Sequence, residues 1–213
     1  MKFYYAAIFT FLLCCQNQAM AYNPNMSPKE ALQLLMDGNE RFVNDKSLCP
    51  DRNQERRAAI AAKQRPFAVI LGCSDSRVPP ELAFDQGLGD IFTVRVAGNV
   101  VGPTELDSVA YSVIYNGSAI ILVLGHENCG AVSAVLARTT HDIPAVAKLI
   151  TPAINTKTHT TMEAAVKANV YNSVMRIKQS SSIAKLIKAG KVNVVGALYD
   201  LDTGKVQLLP EQE

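Results

Sequence analysis

The chain has 213 residues and a net charge of +2, and 48% of its residues are hydrophobic. This length suits one α/β domain with a sizeable core, whereas two domains would both have to be small. Its charge is nearly balanced, and no run of lysine and arginine is interleaved with aromatic residues. The chain therefore lacks the electrostatic footprint of a nucleic-acid-binding protein. We expect a single domain and no nucleic-acid partner.

The first 21 residues have the pattern of a signal peptide. A positive charge at Lys2 precedes an apolar run over residues 3–15, and the small residues Ala19 and Ala21 suit cleavage after Ala21. We assign residues 1–21 to a signal peptide and residues 22–213 to a mature domain. We expect this domain to be exported to the periplasm. The apolar run of about 13 residues is shorter than the roughly 20 that a transmembrane helix needs, so no permanent membrane span is expected.

A lipoprotein signal is the alternative for this segment, with a lipid attached to Cys14 or Cys15. Such a signal needs a small residue before the modified cysteine. The preceding residues here are Leu13 and Cys14, which match that requirement poorly. We therefore favour cleavage after Ala21 over lipid attachment.

The first predicted element of the mature chain is a helix from Pro28 to Val43. Ser27 can cap it, proline suits its first position, and Glu30 can reach back to the cap. The helix has an apolar face that includes Leu32, Leu35 and Met36. An alanine-rich segment over residues 55–63 predicts a second helix.

Four apolar, β-branched stretches are predicted as strands, at residues 67–72, 91–97, 119–125 and 192–198. Helical patterns separate them, at residues 104–115, 131–138 and 162–189. Continuous apolar strands that alternate with helices are typical of a parallel sheet covered on both faces. A turn at residues 200–204 then leads to a short strand at 206–209. The predicted fold is a single α/β domain with a central, mainly parallel β-sheet flanked by helices.

Three potential metal ligands follow two of these strands. Cys73 comes directly after the first strand and His126 directly after the third, and ligand sites in parallel sheets lie outside the carboxyl ends of the strands. Cys129 is three residues beyond His126, so a turn can bring both side chains to one ion. Two thiols and an imidazole suit zinc, and three protein ligands leave a fourth position for water or substrate. We predict a zinc site at Cys73, His126 and Cys129.

Two charged residues beside Cys73 can control the fourth position of that zinc. Asp75 is near enough in sequence to occupy it as a metal ligand, and Arg77 is near enough to hold the carboxylate away in an ion pair. Two simpler interpretations stay open at this stage. Asp75 and Arg77 can be a structural ion pair in a loop, and Cys73 can form a disulfide with Cys129.

The patterns C-x-D-S-R at residues 73–77 and G-H-x-x-C-G at 125–130 together resemble the β-class carbonic anhydrases. The resemblance extends from residues 35–42 through Gly98-Asn99 to residues 196–206. It implies a β-carbonic anhydrase-like fold with an N-terminal helical arm that reaches a partner subunit, in a homodimer or tetramer. It also implies a zinc cofactor and the reversible hydration of carbon dioxide to bicarbonate and a proton.

The same resemblance implies roles for individual residues. Asp75 and Arg77 match the pair that matters for catalysis, with Asp75 also able to bind the metal, and Gln64 and Phe92 match positions that line the substrate pocket. Some bacterial members bind an inhibitory bicarbonate with an arginine that Arg95 matches and a tryptophan that is replaced here by isoleucine. That departure weakens the case for bicarbonate inhibition of this chain.

Three residues have no role from the resemblance: Cys49, His141 and His159. The two histidines lie among polar residues, and we expect them to be solvated surface groups. Because carbon dioxide hydration must export a proton and histidine titrates in the useful range, a proton-shuttle role is the alternative for either.

Two other functions compete with carbon dioxide hydration. The first is hydrolysis of carbon disulfide or carbonyl sulfide, which similar zinc proteins perform through a restricted pocket entrance. The second is a non-catalytic module whose closed zinc site, formed by Cys73, Asp75, His126 and Cys129, serves only folding. Arg77 favours an enzyme over the second alternative, because a structural site has no need of a cation that can remove one ligand.

Overall fold

A computed structural model describes residues 26–155, 158–159 and 161–211 of the chain. The predicted signal peptide at residues 1–21 and its cleavage site lie outside the described residues. The structure confirms the predicted fold class, a single α/β domain built around one mainly parallel sheet.

Five strands form the sheet in the order β2-β1-β3-β4-β5. They are β1 (Ala68–Gly72), β2 (Ile91–Arg95), β3 (Ile120–His126), β4 (Asn193–Tyr199) and β5 (Val206–Leu208). The first four are mutually parallel, and β5 pairs antiparallel with β4 at one edge. The central strands β1 and β3 are buried along their whole length, which explains their continuous apolar sequences.

Eight α-helices surround the sheet in the described part of the chain. They are α1 (Pro28–Val43), α2 (Gln54–Ile60), α3 (Pro80–Ala83), α4 (Pro103–Tyr111), α5 (Gly130–Ala137), α6 (Pro144–Ile150), α7 (Met162–Lys178) and α8 (Ser181–Lys188). Short 3₁₀ turns occur at Ala97–Asn99 and Thr151–Ala153, and a π-helical turn at Ser112–Asn116 extends α4. The sequence patterns predicted most of these helices but not α3 or α6.

The long helix predicted over residues 162–189 is two helices. It breaks after Lys178, and Ser180 has an extended backbone with φ −62° and ψ 123°. The break lets both α7 and α8 contribute to the core on one face of the sheet, through residues such as Ile177 and Ile183. Residues 178–182 at the break are all polar, a signal that the helical prediction over the whole stretch overlooked.

The two faces of the sheet pack against different helices because side chains alternate along each strand. On one face Ile70, Ile120 and Leu122 pack with Ala31 and Leu35 of α1. On the opposite face lie the alternate residues of the strands, and these pack with α4, α7 and α8. The members of that second core include Val69, Ile121, Val109, Val170 and Ile183.

Helix α1 begins with the predicted capping box, in which Ser27 and Glu30 bond to each other's backbone N–H groups. Its apolar face packs against the chain's own core, with Ala31 and Leu35 fully buried. Asn39 ties it to the far edge of the sheet, donating to the Gly204 carbonyl and accepting from the Val206 N–H. Leu32 and Met36 of the same face are only partly buried, so the contact of this helix with a partner subunit stays a prediction.

Among the described residues, no helix is both long enough and apolar enough to cross a membrane.

Candidate metal centre and active site

The three predicted metal ligands meet at the carboxyl edge of the sheet. Cys73 follows the last residue of β1, His126 ends β3, and Cys129 lies just before α5. Their ligand atoms all lie within 4.8 Å of one another, and all three residues are buried. Both cysteines are free thiols, so the structure does not support a disulfide between them. The topology thus brings together residues that are more than fifty positions apart, as expected of neighbouring parallel strands.

The His126 ring is oriented for metal binding. Its Nδ1 lies 2.7 Å from the Glu127 carbonyl oxygen, and because a carbonyl can only accept, Nδ1 must carry the proton. The lone pair is then on Nε2, which is buried and has no hydrogen-bond partner among the described residues. A buried, unpartnered acceptor beside two thiols fits a soft divalent cation, and the Cys₂His set fits zinc in particular.

The charges of the cluster also favour a cation. A hydrogen bond from the Cys129 thiol, with a second one from the Gly98 N–H, lowers the pKa of Cys73 to about 4 against the opposing effect of burial. The same pairing with Cys73, together with burial, raises the pKa of Cys129. The two sulfurs therefore share one proton. A bound cation would displace that proton, so metal affinity should increase with pH.

Asp75 and Arg77 form a two-pronged ion pair at the rim of this cluster. The Arg77 Nε donates to Oδ1 of Asp75 over 2.9 Å, and its second guanidinium nitrogen donates to Oδ2 over 2.7 Å. The Asp75 Oδ2 lies 3.8 Å from His126 Nε2, which is too long for a hydrogen bond but close to the cluster. Arg77 therefore holds the carboxylate beside the metal centre.

The ion pair keeps Asp75 charged. Its pKa lies well below its usual range, mainly because of the side-chain hydrogen bonds from Arg77, which outweigh the opposing effect of burial. Arg77 is itself more than half exposed, with 55% of its side chain accessible. The carboxylate can therefore accept a hydrogen bond from a group in the cluster while remaining ionised at neutral pH.

Arg95 fixes the backbone of the loop that carries Cys73 and Asp75. Its Nε donates to the Cys73 carbonyl oxygen over 2.9 Å, and another guanidinium nitrogen donates to the Asp75 carbonyl oxygen over 2.6 Å. Ile70, the residue that stands in place of tryptophan, is fully buried in the core. Arg95 thus has a structural task at this loop that the sequence did not reveal.

Gln64 and Phe92 do not reach the cluster within the same chain. Gln64 is an exposed residue in the segment before β1, whereas Cys73 follows the carboxyl end of β1. Phe92 pairs with Val69, four residues before Cys73, which at about 3.3 Å per residue places their backbones on the order of 13 Å apart. The Phe92 ring packs instead near Tyr111, with 6.3 Å between ring centroids. Both residues therefore lie towards the amino edge of the sheet, far from the metal ligands.

The residues left without a role lie outside the cluster. His141 is exposed and pairs with Asp142 at 2.8 Å, and the His159 ring accepts a hydrogen bond from the Asn155 N–H. Cys49 is an exposed free thiol. Sequence reasoning missed the Gly98 N–H, which donates to the Cys73 sulfur over 3.3 Å. The sequence indicated Gly98 and Asn99 only through the family resemblance. A backbone N–H donor cannot be predicted from residue type, because every residue except proline has one.

Comparison with known families agrees with this site. A family model described as carbonic anhydrase matches residues 68–206, which include all three metal-binding candidates. The chain belongs to the carbonic anhydrase family. The match begins at β1 and ends at the first residue of β5, so it covers all four parallel strands.

Individual relatives support the same family and its β class. A carbonic anhydrase of Mycolicibacterium smegmatis is 40% identical over 195 residues, covering 87% of this chain and 95% of that protein. The β-carbonic anhydrase of Coccomyxa, solved in complex with acetazolamide, is 26% identical, covers 84% of this chain and 86% of its own, and superposes with a TM-score of 0.63. A structure described as one of two tetrameric β-carbonic anhydrases from Sordaria macrospora shares the fold at 21% identity, with a TM-score of 0.65 over 84% of this chain and 96% of that one.

Proposed function

We propose that this protein catalyses the reversible hydration of carbon dioxide to bicarbonate and a proton, with zinc held by Cys73, His126 and Cys129. The observation that carries the proposal is the buried Cys₂His cluster beside the Asp75–Arg77 ion pair. A zinc ion in such a site would activate water for attack on a carbonyl-type carbon. Membership of the carbonic anhydrase family supports carbon dioxide as the substrate.

Each residue of the site has a task in this proposal. Cys73, His126 and Cys129 would hold the metal and leave room for water. The Glu127 carbonyl oxygen fixes the His126 ring so that Nε2 is free to bind that metal. Asp75 orients the reacting water by accepting a hydrogen bond at Oδ2, the oxygen nearest the cluster.

Arg77 decides whether Asp75 is available for this task. While Arg77 holds the carboxylate, Asp75 would stay off a bound zinc and leave room for water there. Without the ion pair, Asp75 could bind the zinc itself and exclude water. Because the pKa of Asp75 is well below its usual range, the carboxylate does not keep the proton that the reaction releases. That proton must leave to the solvent.

The proposal is tested by measuring zinc content and hydration of carbon dioxide on the purified protein, in a stopped-flow assay with an indicator dye. Wild-type protein should contain one zinc per chain and hydrate carbon dioxide. Replacing Cys129 with Ser should abolish both properties, because only Cys73 and His126 would remain as ligands. A matched control is Cys49→Ser, which removes an exposed thiol outside the cluster and should change neither. Full zinc content in Cys129→Ser would contradict the proposed ligand set.

The alternative functions have less support. The relatives named above are carbonic anhydrases, which does not favour carbon disulfide or carbonyl sulfide as the substrate. A zinc site used only for folding has no need of the Asp75–Arg77 pair at its rim. The same stopped-flow assay separates these cases, because a folding site would bind zinc without any turnover.

We further propose that the protein works as a homodimer or a larger assembly of dimers. Gln64 and Phe92, the expected substrate-binding residues, lie at the opposite end of the sheet from the metal ligands of their own chain. A second copy that presents its amino edge to the cluster would supply them. Phe92 lies on the edge strand β2, and the neighbouring Tyr111 and Tyr115 are 49% and 71% exposed, which leaves an aromatic surface for such contact.

We also propose that the mature protein is exported to the periplasm after cleavage behind Ala21. This proposal has its support in the charge and apolar pattern of the first 21 residues. N-terminal sequencing of the protein from the periplasmic fraction should give Tyr22 as the first residue. Retention of the full segment, or a lipid on Cys14 or Cys15, would contradict it.

A further inference from the structure

Hydrogen bonds connect helix α7 with the Cys73 thiol through the turn at residues 97–99. Asn169 of α7 donates from Nδ2 to the Gly98 carbonyl oxygen over 2.7 Å. Ser173, one helical turn further on, donates to the Asn99 carbonyl oxygen over 2.9 Å. The Gly98 N–H in turn donates to the Cys73 sulfur over 3.3 Å. Two side chains of α7 therefore hold the backbone that touches a metal ligand.

The turn needs such support because its backbone conformation is unusual. Gly98 and Asn99 both have left-handed backbones, with φ of +72° and +44°. A side chain at Gly98 would also be crowded, since a Cβ atom there would lie 2.9 Å from the Ile150 Cδ1 and 3.1 Å from the Ala131 Cβ. A left-handed pair that includes a non-glycine residue is intrinsically unfavourable. Its geometry must therefore be imposed by the contacts around it.

Burial of the Asn169 side chain carries a free-energy penalty that core packing alone would not explain. The residue is fully buried, and its Oδ1 has no hydrogen-bond partner among the described residues. A buried acceptor without a partner is unfavourable, whereas an apolar side chain of the same shape would avoid this penalty. The favourable contact that accompanies the penalty is the short bond from Nδ2 to Gly98. This points to a role of Asn169 at the turn rather than in the core.

We propose that Asn169 is a positioning residue of the metal centre, which together with Ser173 keeps the Gly98 N–H directed at the Cys73 sulfur. The inference rests on the proposed function, because it concerns the same metal site. An N–H donor on a thiolate withdraws part of the charge that the sulfur gives to the metal, and it fixes the direction of the sulfur. Losing this donor should weaken metal binding, because the sulfur is no longer held in the direction of the metal. It should also make the metal-activated water less acidic, because the sulfur then gives more charge to the metal.

The test compares two asparagines of the same helix. Asn169→Leu removes the donor to Gly98 at similar side-chain size, and Ser173→Ala removes the second bond to the turn. Asn172→Leu is the matched control, because Asn172 also donates from Nδ2 to a backbone carbonyl, but to that of Leu149 in α6 and not to the turn. All variants are first checked for folding by circular dichroism and thermal unfolding.

Three properties are then measured for each variant. Zinc affinity is obtained by competition with a chromophoric chelator, the sulfur-to-metal charge-transfer band by cobalt(II) substitution, and the midpoint of the hydration pH profile by stopped flow. Asn169→Leu should bind zinc about tenfold more weakly than Asn172→Leu. This is the lower limit of the loss in metal affinity that is typical when a residue supporting a metal ligand is replaced. Its cobalt band should shift and its pH midpoint should move to higher pH. Ser173→Ala should change in the same directions by less.

The outcomes separate this inference from the proposed function. If Asn169→Leu and Ser173→Ala match Asn172→Leu in zinc affinity, cobalt spectrum and pH midpoint, the inference is overturned and the two residues only stabilise the fold. If Asn169→Leu does not fold, the comparison of Ser173→Ala with Asn172→Leu decides in the same way. Wild-type protein that binds neither zinc nor cobalt at Cys73 would instead overturn the proposed function, and this inference with it.

Discussion

Arg77 and Asp75 interact through a geometry that depends on the shape of the guanidinium group. Two parallel hydrogen bonds join their side chains, and the Arg77 N–H also donates to Asp75 Oδ1 over 3.0 Å. A planar fork matches a carboxylate in this way, whereas an ammonium group provides a charge without the fork. The orientation of Asp75 at the metal centre thus depends on arginine in particular.

Replacing Arg77 with Ala should lower the turnover of carbon dioxide by about tenfold or more, the range seen when the partner of a metal-site group is lost. Asp75 would be free to compete with water for the open metal position. Zinc content should stay unchanged, because all three ligands remain. Both quantities are measured across neutral and alkaline pH by stopped flow and metal analysis.

Two further variants control the Arg77→Ala experiment. Arg77→Lys keeps the charge but not the fork, so it should recover only part of the turnover. Arg57→Ala removes an exposed arginine of α2 and should have no effect. Turnover close to wild type in Arg77→Ala at every pH would refute the gating role of the pair and leave the zinc assignment intact.

At the scale of secondary-structure elements, Asp85 connects α1 to the loop that follows it. Its side chain is fully buried and accepts hydrogen bonds from Arg41 of α1 over 2.7 Å and from the Leu48 and Cys49 N–H groups over 2.9 and 3.0 Å. Burial alone would raise the pKa of Asp85, but these three donors outweigh burial and lower it. The charged form of Asp85 therefore stabilises the fold.

Asp85→Asn should lower the free energy of unfolding by about 2 kcal/mol at neutral pH, the typical loss for hydrogen bonds to a buried charged group. A group whose pKa is lowered by folding stabilises the fold above its ordinary pKa, here 3.8, and the contribution is lost as the pH falls through the folded value. The difference between wild type and variant should therefore shrink below about pH 4. Urea unfolding at several pH values measures it.

The control for this prediction is Asp107→Asn, which neutralises an exposed carboxylate on α4. Its effect on stability should be small at every pH, because an exposed charge in water gains little from folding. A stability difference for Asp85→Asn that is as large in acid as at neutral pH would mean that shape, and not charge, determines the role of Asp85.

At the scale of the whole molecule, the position of Gln64 predicts that one chain completes the site of another. Chains carrying Cys129→Ser should lack zinc, and chains carrying Gln64→Ala should hold zinc but turn over slowly. When both chains are co-expressed with different tags, the mixed dimers contain one site with an intact metal set and an intact Gln64. The purified mixed assembly should therefore be more active than either variant alone.

A second pair of variants provides the control. Cys129→Ser combined with Asp75→Asn should show no recovery, because Asp75 lies beside the metal ligands of its own chain and no mixed site can be complete. If the Gln64→Ala pair forms mixed dimers but gains no activity, Gln64 does not act across subunits.

The sequence predicted the sheet and the clustering of the three candidate metal ligands because both depend on local patterns. Continuous apolar runs indicated the buried parallel strands, and Cys73 and His126 directly follow or end such strands. Parallel strands that end at one edge bring such residues together without further information. The start of α1 was equally predictable, since Ser27 and Glu30 are only three positions apart.

Other features of the molecule depended on contacts between distant parts of the chain, and only the tertiary structure decided them. Ala31 and Leu35 of α1 pack against the chain's own sheet, and the sequence pattern of the helix alone did not specify which surface they would cover. Gln64 and Phe92 turned out to lie at the opposite end of the sheet from Cys73. Asn169 and Gly98 are 71 positions apart in the sequence, and no local pattern around either residue predicts their hydrogen bond. Ligand identity is a property of single side chains, whereas the packing of faces and the hydrogen bonds behind the ligands arise only when the chain is folded.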